Sequence, residues 1–187
     1  MKIILASASP RRRELLKVAG VDFEVRTSDV EERVPHGASP KETVKLLAGQ
    51  KASAVADSFR DCCVIGADTV VVCDGKILGK PRDREQAREM LRSLSGKTHC
   101  VFTGVCIICR GETVSIAEKT EDTFYELTDD EINAYVDTGE PMDKAGAYGI
   151  QGRGCVLIKG IRGDYFNVVG LPVAETVRAI NKLTLNK

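Results

Sequence analysis

Hydrophobic positions along this chain fall into short apolar runs that predict strands and longer stretches with an apolar stripe that predict helices. Ile3, Ile4 and Leu5 read as a buried strand that empties through small residues into a helix. Ser9 is a good N-cap and Pro10 suits the first helical position, where its missing N–H costs nothing. That helix runs over Leu15, Leu16, Val18 and Ala19 and stops at Gly20. The next segment, from Val21 to Gly37, opens with a short strand-like alternation, passes through an acidic patch of Asp29, Glu31 and Glu32, and ends in a Pro/Gly loop. Ser39 and Glu42 form a capping box for a helix from Pro40 to about Ser58, with an apolar stripe of Val44, Leu47, Ala48, Ala52 and Val55.

Between Cys62 and Pro81, Val64 and Ile65 and then Val70, Val71 and Val72 make a near-continuous hydrophobic run, as in strands covered on both faces, and Asp74-Gly75 turns it into a hairpin with Lys76, Ile77 and Leu78. Asp83 and Gln86 cap a helix with Ala87, Met90, Leu91 and Leu94 on its buried side and Gly96 at its end. Two strands, Thr98 to Cys109 and Thr113 to Phe124, are joined by a turn at Arg110-Gly111. Thr128 and Glu131 cap a short helix through Tyr135 and Val136 that ends near Gly139. Gly139 to Gly154 is Gly-rich, charged and irregular. The remainder predicts a strand from Cys155 to Lys159, a turn at Arg162-Gly163-Asp164, a strand from Tyr165 to Val169, and a helix opened by Pro172 over Val173, Val177, Ile180 and Leu183. No internal repeat, linker or low-complexity segment interrupts this series.

Certain residues sit where this pattern disfavours them, and these are the candidates for chemistry. Arg11, Arg12 and Arg13 occupy the first turn of the first helix, where the helix dipole already places positive charge and a misplaced cation costs about 0.3–1 kcal/mol. A bound anion resolves the conflict, held by backbone N–H groups, the Ser7 and Ser9 hydroxyls and the guanidinium forks, and polyphosphate is the obvious anion. The alternative is a solvated helix start with its long arginines turned to water. Lys51 falls near the middle of an apolar stripe, so that its ammonium either snorkels outward or meets an anion at a cleft. Asp68 interrupts a strand that is otherwise apolar, and an ionised carboxylate there costs several kcal/mol unless it is paired, metal-bound or open to a cleft. It is the strongest single candidate for a functional carboxylate. Lys80, just past the hairpin, returns a cation toward the same neighbourhood, although alone it reads as a surface turn. Glu31 and Glu32 are further partners for a metal or water. In the Gly-rich stretch Gln151 carries an amide able to read a base edge, while Asp143 and Lys144 are placed to pair. Its glycines form no dinucleotide fingerprint, because no strand feeds them and no helix follows.

Composition narrows the classes. A chain of 187 residues is one domain, or one with two lobes, and can bury a substantial core. Lys plus Arg and Asp plus Glu both number 27, so there is no global basic field to suggest nucleic acid, and anion binding has to come from local clusters. No apolar run of membrane length and no signal-peptide pattern is present, and the seven Cys lack disulfide-framework spacing; a soluble, cytoplasmic protein is expected. Cys106 and Cys109 lie three apart in a strand and so face opposite ways, which reads as buried small hydrophobes rather than a zinc site. The two histidines, His36 and His99, have no ligand partner at metal spacing, and neither is assigned to catalysis. A kinase is disfavoured by the missing Gly-x-x-x-x-Gly-Lys-[Ser/Thr] loop.

Taken together, SASPRRRELL, GADTVV, GKPRD, GEPMDKAGAYGIQG and GDYFNVVGLP resemble the Maf family of nucleoside triphosphate pyrophosphatases, in the right order from residue 3 to about residue 180. The resemblance implies one Maf-like domain over residues 1–187, with an α/β, Maf/ITPase-like fold. That fold has a mixed, twisted central sheet flanked by helices and two lobes with a cleft between them. It implies hydrolysis of a nucleoside 5′-triphosphate to the monophosphate and pyrophosphate with a divalent metal, Mg²⁺ or Mn²⁺. By position Asp68 matches the catalytic base, Ser7, Arg11, Arg12, Lys51 and Lys80 the phosphate-binding residues, and Glu32 an acidic residue near the metal. Arg11, Thr69 and Gln151 match positions that tune base choice. The GAYGIQG wording is similar to the branch acting on dTTP and UTP, a house-cleaning activity, rather than the branch taking 7-methylated GTP. The implied partner is the nucleotide, with no nucleic acid and no membrane, and a homodimer is left open. A competing class is a nucleotide-binding regulator of septum formation that acts through a protein partner.

Overall fold

A computed structural model describes residues 1–27 and 30–185, the side chain of residue 185 excepted. The element order is β1 (Ile3–Leu5), α1 (Pro10–Val18), β2 (Glu24–Val25), α2 (Pro40–Ala56), β3 (Cys63–Cys73), β4 (Lys76–Leu78), α3 (Arg84–Leu94), β5 (Thr98–Cys109), β6 (Glu112–Phe124), α4 (Asp129–Asp137), three short 3₁₀ turns (Glu140–Asp143, Ala145–Ala147, Gly152–Leu157), β7 (Ile158–Arg162), α5 (Tyr165–Val169) and α6 (Val173–Leu185). Among the described residues seven strands make one mixed sheet in the order β2-β1-β3-β5-β6-β7, with β4 pairing β3. β1 runs parallel to both β2 and β3, placing Leu5 beside Ile65, while the β3–β4 and β6–β7 pairs are antiparallel. The α/β class expected from the resemblance is therefore present. No helix among the described residues is long and apolar enough to cross a membrane.

Capping and turn chemistry set the boundaries. Ser9, Ser39, Asp83 and Thr128 all accept from backbone N–H groups at helix starts, and Ser39–Glu42 and Thr128–Glu131 are complete capping boxes. Both hairpin turns put two successive residues in the left-handed region, Asp74-Gly75 (φ 48 and 75) and Arg110-Gly111 (φ 50 and 82), the geometry that matches strand twist.

Two predicted strands take another form. The expected strand at Cys155–Lys159 is a 3₁₀ turn as far as Leu157, and β7 begins only at Ile158. Gly154 explains the delay: a Cβ there would stand 2.2 Å from the Gly149 carbonyl and 2.8 Å from the Tyr135 hydroxyl, so the chain is still folding tightly on itself. Tyr165–Val169 is helical rather than extended. Asp164 Oδ1 accepts the Phe166 N–H at 2.8 Å, and Asn167 is buried with its amide donating to the Val101 carbonyl and the Thr120 hydroxyl. The turn closed at Asp164 and the inward anchoring of Asn167 suit a helical start. The strand-like segment after Val21 shrinks to the two residues of β2.

The chain divides into two compact units, the first formed by Met1–Asp68, Thr103–Glu118 and the chain from Gly170, the second by Thr69–Phe102 and Lys119–Val169. In the first unit Ile4, Ala6, Ala48, Ala52, Val55, Val64 and Cys106 form a core between α2 and the sheet. Helix α2 lies on bare strand backbone. A Cβ at Gly66 would come within 2.3 Å of the Ala48 carbonyl oxygen, and one at Gly104 within 2.2 Å of that of Val44. The second unit is built on Ala87, Leu91 and Leu94 of α3, Ile132, Tyr135 and Val136 of α4, and Val71, Val101, Phe124, Tyr148 and Leu157.

Candidate active site

Strand period and the glycine contact at Gly66 place the central carboxylate. Side chains two apart in β3 share a face, so Asp68 projects from the face on which Gly66 receives α2. On α2 Lys51 lies between Ala48 and Ala52, the residues seated on Gly66, and its ammonium reaches Asp68 Oδ1 at 2.5 Å. It also lies 2.8 Å from Glu32 Oε1. The Lys51 and Asp68 side chains are only 19% and 13% exposed, whereas Glu32 is half exposed. Lys51 does not snorkel; it bridges two carboxylates. Glu31 instead forms an exposed pair with Arg33, at 2.6 Å, and Asp29 of the same acidic patch lies outside the described residues.

The turn after β1 adds to this cluster. The Ser7 hydroxyl, nearly buried, accepts from the Ser9 N–H at 3.3 Å and from Arg12 Nη1 at 3.1 Å. Arg12 also donates through Nη1 to the Ala67 carbonyl and through Nε to that of Gly170, both at 2.8 Å. One guanidinium thus ties the β1–α1 turn to the residue preceding Asp68 and to the segment leading into α6. Burial pulls the Arg12 pKa below its ordinary value; Asp68 and Glu32 oppose the drop and Arg11 adds to it. Arg11 follows Pro10 in the first turn of α1, and Arg13 donates to the Ala8 carbonyl at 2.6 Å. Ser7, Arg12, Glu32, Lys51 and Asp68 are therefore gathered in the first unit.

Thr69, Lys80 and Gln151 belong to the second unit. There the Gly146 N–H donates to the carbonyl of Gly79, next to Lys80, at 3.0 Å. Gly146, in the left-handed region, lies so close to Val71 that a Cβ would meet its side chain at 3.0 Å. The loop bearing Gln151 is thus fastened beside Lys80 and against β3 two residues beyond Thr69. Asp143 and Lys144 do pair, at 2.7 Å. Below the loop lies a buried polar chain: the Tyr148 hydroxyl donates to Asp122 Oδ2 at 2.5 Å and lies 2.7 Å from His99 Nε2. With its proton directed at Asp122, the Tyr148 hydroxyl accepts from His99, which assigns the Nε2–H tautomer.

Burial pushes Asp122 up to about 6, the Tyr148 bond opposing it, and pulls His99 down to about 4. Between pH 4 and 6 the unfolded chain carries a protonated histidine and an ionised aspartate, and the folded protein the reverse. His99 makes stability rise with pH through this window and Asp122 makes it fall, each by about 3 kcal/mol in full, so the two largely cancel. Asp122→Asn removes the falling part. Thermal melts should show the variant gaining on wild type by about 3 kcal/mol between pH 4 and 7, and a pH-independent difference would contradict the assignment.

The profile of the Maf-like protein family matches residues 2–183. This chain belongs to the Maf family. Curated relatives of this Maf chain include the dTTP/UTP pyrophosphatase of Bacillus anthracis (strain CDC 684 / NRRL 3495), 54% identical over 185 residues that cover 99% of this chain and 97% of that protein. The proteins of the same name from Bacillus thuringiensis subsp. konkukian (strain 97-27) and Bacillus cytotoxicus are likewise 54% identical, the latter over 97% of this chain and 95% of its own. Among solved structures the Staphylococcus aureus Ham1 protein overlays 67% of this chain and 73% of its own at TM-score 0.49 and 18% identity, a likeness too weak to carry weight.

The donor set suits a divalent cation. Asp68 and Glu32 offer hard carboxylate oxygens, and the seat between them accepts a positive group, the Lys51 ammonium. No cluster of three or more His, Cys, Asp or Glu side chains fit for a metal occurs among the described residues. Two carboxylates completed by phosphate oxygens and water are a common way to hold Mg²⁺. Sequence reasoning missed the Asp122–Tyr148–His99 chain. Its signal was the strand period, since Asp122 falls in step with the buried Thr120 and Phe124 of β6.

Proposed function

We propose that this Maf chain hydrolyses dTTP and UTP to the monophosphate and pyrophosphate, a house-cleaning activity on nucleotides. The observation that carries the reading is a nearly buried strand carboxylate, Asp68, held 2.5 Å from the ammonium of Lys51. The relatives' shared name supplies the substrates. Asp68 takes a proton from the attacking water, whose oxygen bonds to the α phosphorus. The bond to the bridging oxygen breaks, and its electron pair leaves with pyrophosphate. Ser7, Arg11, Arg12, Lys51 and Lys80 bind the phosphates and stabilise the charge gathering on that leaving group. Asp68 and Glu32 hold a divalent cation, Mg²⁺ or Mn²⁺, which when bound supplies further charge neutralisation. Arg11, Thr69 and Gln151 govern base choice.

The test is pyrophosphate release by purified protein with Mg²⁺ across a panel of nucleoside triphosphates. Monophosphate and pyrophosphate from dTTP and UTP are expected; a panel that yields none sinks the hydrolase reading. Gln151→Ala should narrow the preference for pyrimidine over purine triphosphates by about tenfold, the size of one lost specific hydrogen bond. An unchanged profile would remove Gln151 from that role.

A further inference from the structure

We propose that Tyr148 is a positioning residue for base choice, held from beneath by Asp122 and His99 so that it fixes the turn presenting Gln151. This rests on the pyrophosphatase reading and adds residues that never touch the nucleotide. Tyr148 stands three positions before Gln151 and is almost fully buried, with Asp122 wholly so. Its ring packs edge-on against His99 and Phe124, with centroids at 5.2 and 4.8 Å, and its hydroxyl contacts two strands at once, β5 through His99 and β6 through Asp122.

The backbone above this anchor is strained. Ala147 is fully buried at φ 60, a conformation that an L-residue with a Cβ enters at a cost. Such a turn persists only where its surroundings over-determine it. Here they do: Tyr148 is bonded from below, the Gly146 N–H is taken by Gly79, and the Gly149 N–H donates to the Tyr135 hydroxyl at 3.1 Å. Two tyrosine hydroxyls thus bracket the residues leading into Gln151. An apolar contact would allow the ring to slide or turn, whereas two directional bonds fix both its depth and its rotation. That precision offsets the burial of a carboxylate whose Oδ1 has no hydrogen-bond partner among the described residues.

Tyr148→Phe should raise KM for dTTP and UTP about tenfold, the effect of one displaced hydrogen bond, with kcat at saturation within about twofold. The pyrimidine-over-purine ratio of kcat/KM should fall by a similar factor. Amide exchange at Gly149 and Gln151 should speed up by about the same factor, with the fold otherwise intact. Asp122→Asn, which keeps an acceptor for the hydroxyl, should hold the wild-type ratio. Should Tyr148→Phe fail to fold because the Asp122 carboxylate is stranded, Tyr148→Phe with Asp122→Leu removes both partners and must show the same lost selectivity. Folded variants with wild-type selectivity and wild-type exchange overturn the inference while leaving the hydrolase reading intact. A wild-type protein inactive on every triphosphate sinks that reading instead, and the exchange measurement still decides whether Tyr148 holds the turn.

Discussion

Asp68→Asn should lower pyrophosphate release from dTTP by roughly 10²–10⁴-fold, the range associated with losing a positioned base, and leave nucleotide affinity within a few fold. The amide keeps the size of the carboxylate and an oxygen able to accept from Lys51, so the pairing geometry at 2.5 Å has a replacement partner. What it loses is the capacity to take a proton from water. Single-turnover release measured beside calorimetric binding of nucleotide separates the two effects. Wild-type turnover in the variant would end the assignment of Asp68 as base, and a loss confined to binding would move it to the phosphate-binding set.

Gly66→Ala should both unfold the protein more readily and silence the site. The added methyl would stand 2.3 Å from the Ala48 carbonyl oxygen and 2.7 Å from the Ala52 nitrogen, and both are helix backbone that cannot rotate aside. Overpacking of this kind costs about 1–3 kcal/mol, and α2 relieves it only by lifting off the sheet. Lys51 rides on that helix, so its bond to Asp68 is lost with the displacement. A melting temperature lower by about 5–10 °C is expected for a chain of this length, with turnover reduced at least tenfold below the transition. Gly49→Ala is the control. It lies on the same helix, with nothing within 4 Å of where its new methyl would stand, and should stabilise by about 0.5–1 kcal/mol without changing turnover. If both variants melt and turn over alike, close packing at Gly66 does not position the site.

Legibility in the sequence followed the range of the interactions concerned. Caps and hairpin turns were readable because their partners lie within four residues, as with Ser39 and Glu42 or Asp74 and Gly75. Asp68 was readable because a lone carboxylate contradicts the apolar strand around it. Tyr165–Val169 was not, since five apolar-rich residues fit either period and the choice fell to a cap from Asp164 and to Asn167 reaching Val101 and Thr120. At Lys51 the apolar stripe points to an anion but not to the two carboxylates of the protein itself that the ammonium bridges. One of them, Glu32, lies in a stretch without regular structure that no local pattern connects to α2. For Arg12 the spacing points to a phosphate-binding residue, and its Nε and Nη1 bonds to Gly170, Ala67 and Ser7 add a bracing role that spacing alone does not reveal.

The Lys51 bridge has a bearing on how the protein meets a charged ligand. An ammonium in open water must shed a tightly held hydration shell before it can grip an anion, and that dehydration is the usual drain on a lysine's affinity. In Lys51 part of that shell is replaced on folding by oxygens of Asp68 and Glu32. An incoming phosphate therefore meets a cation that folding has already partly desolvated.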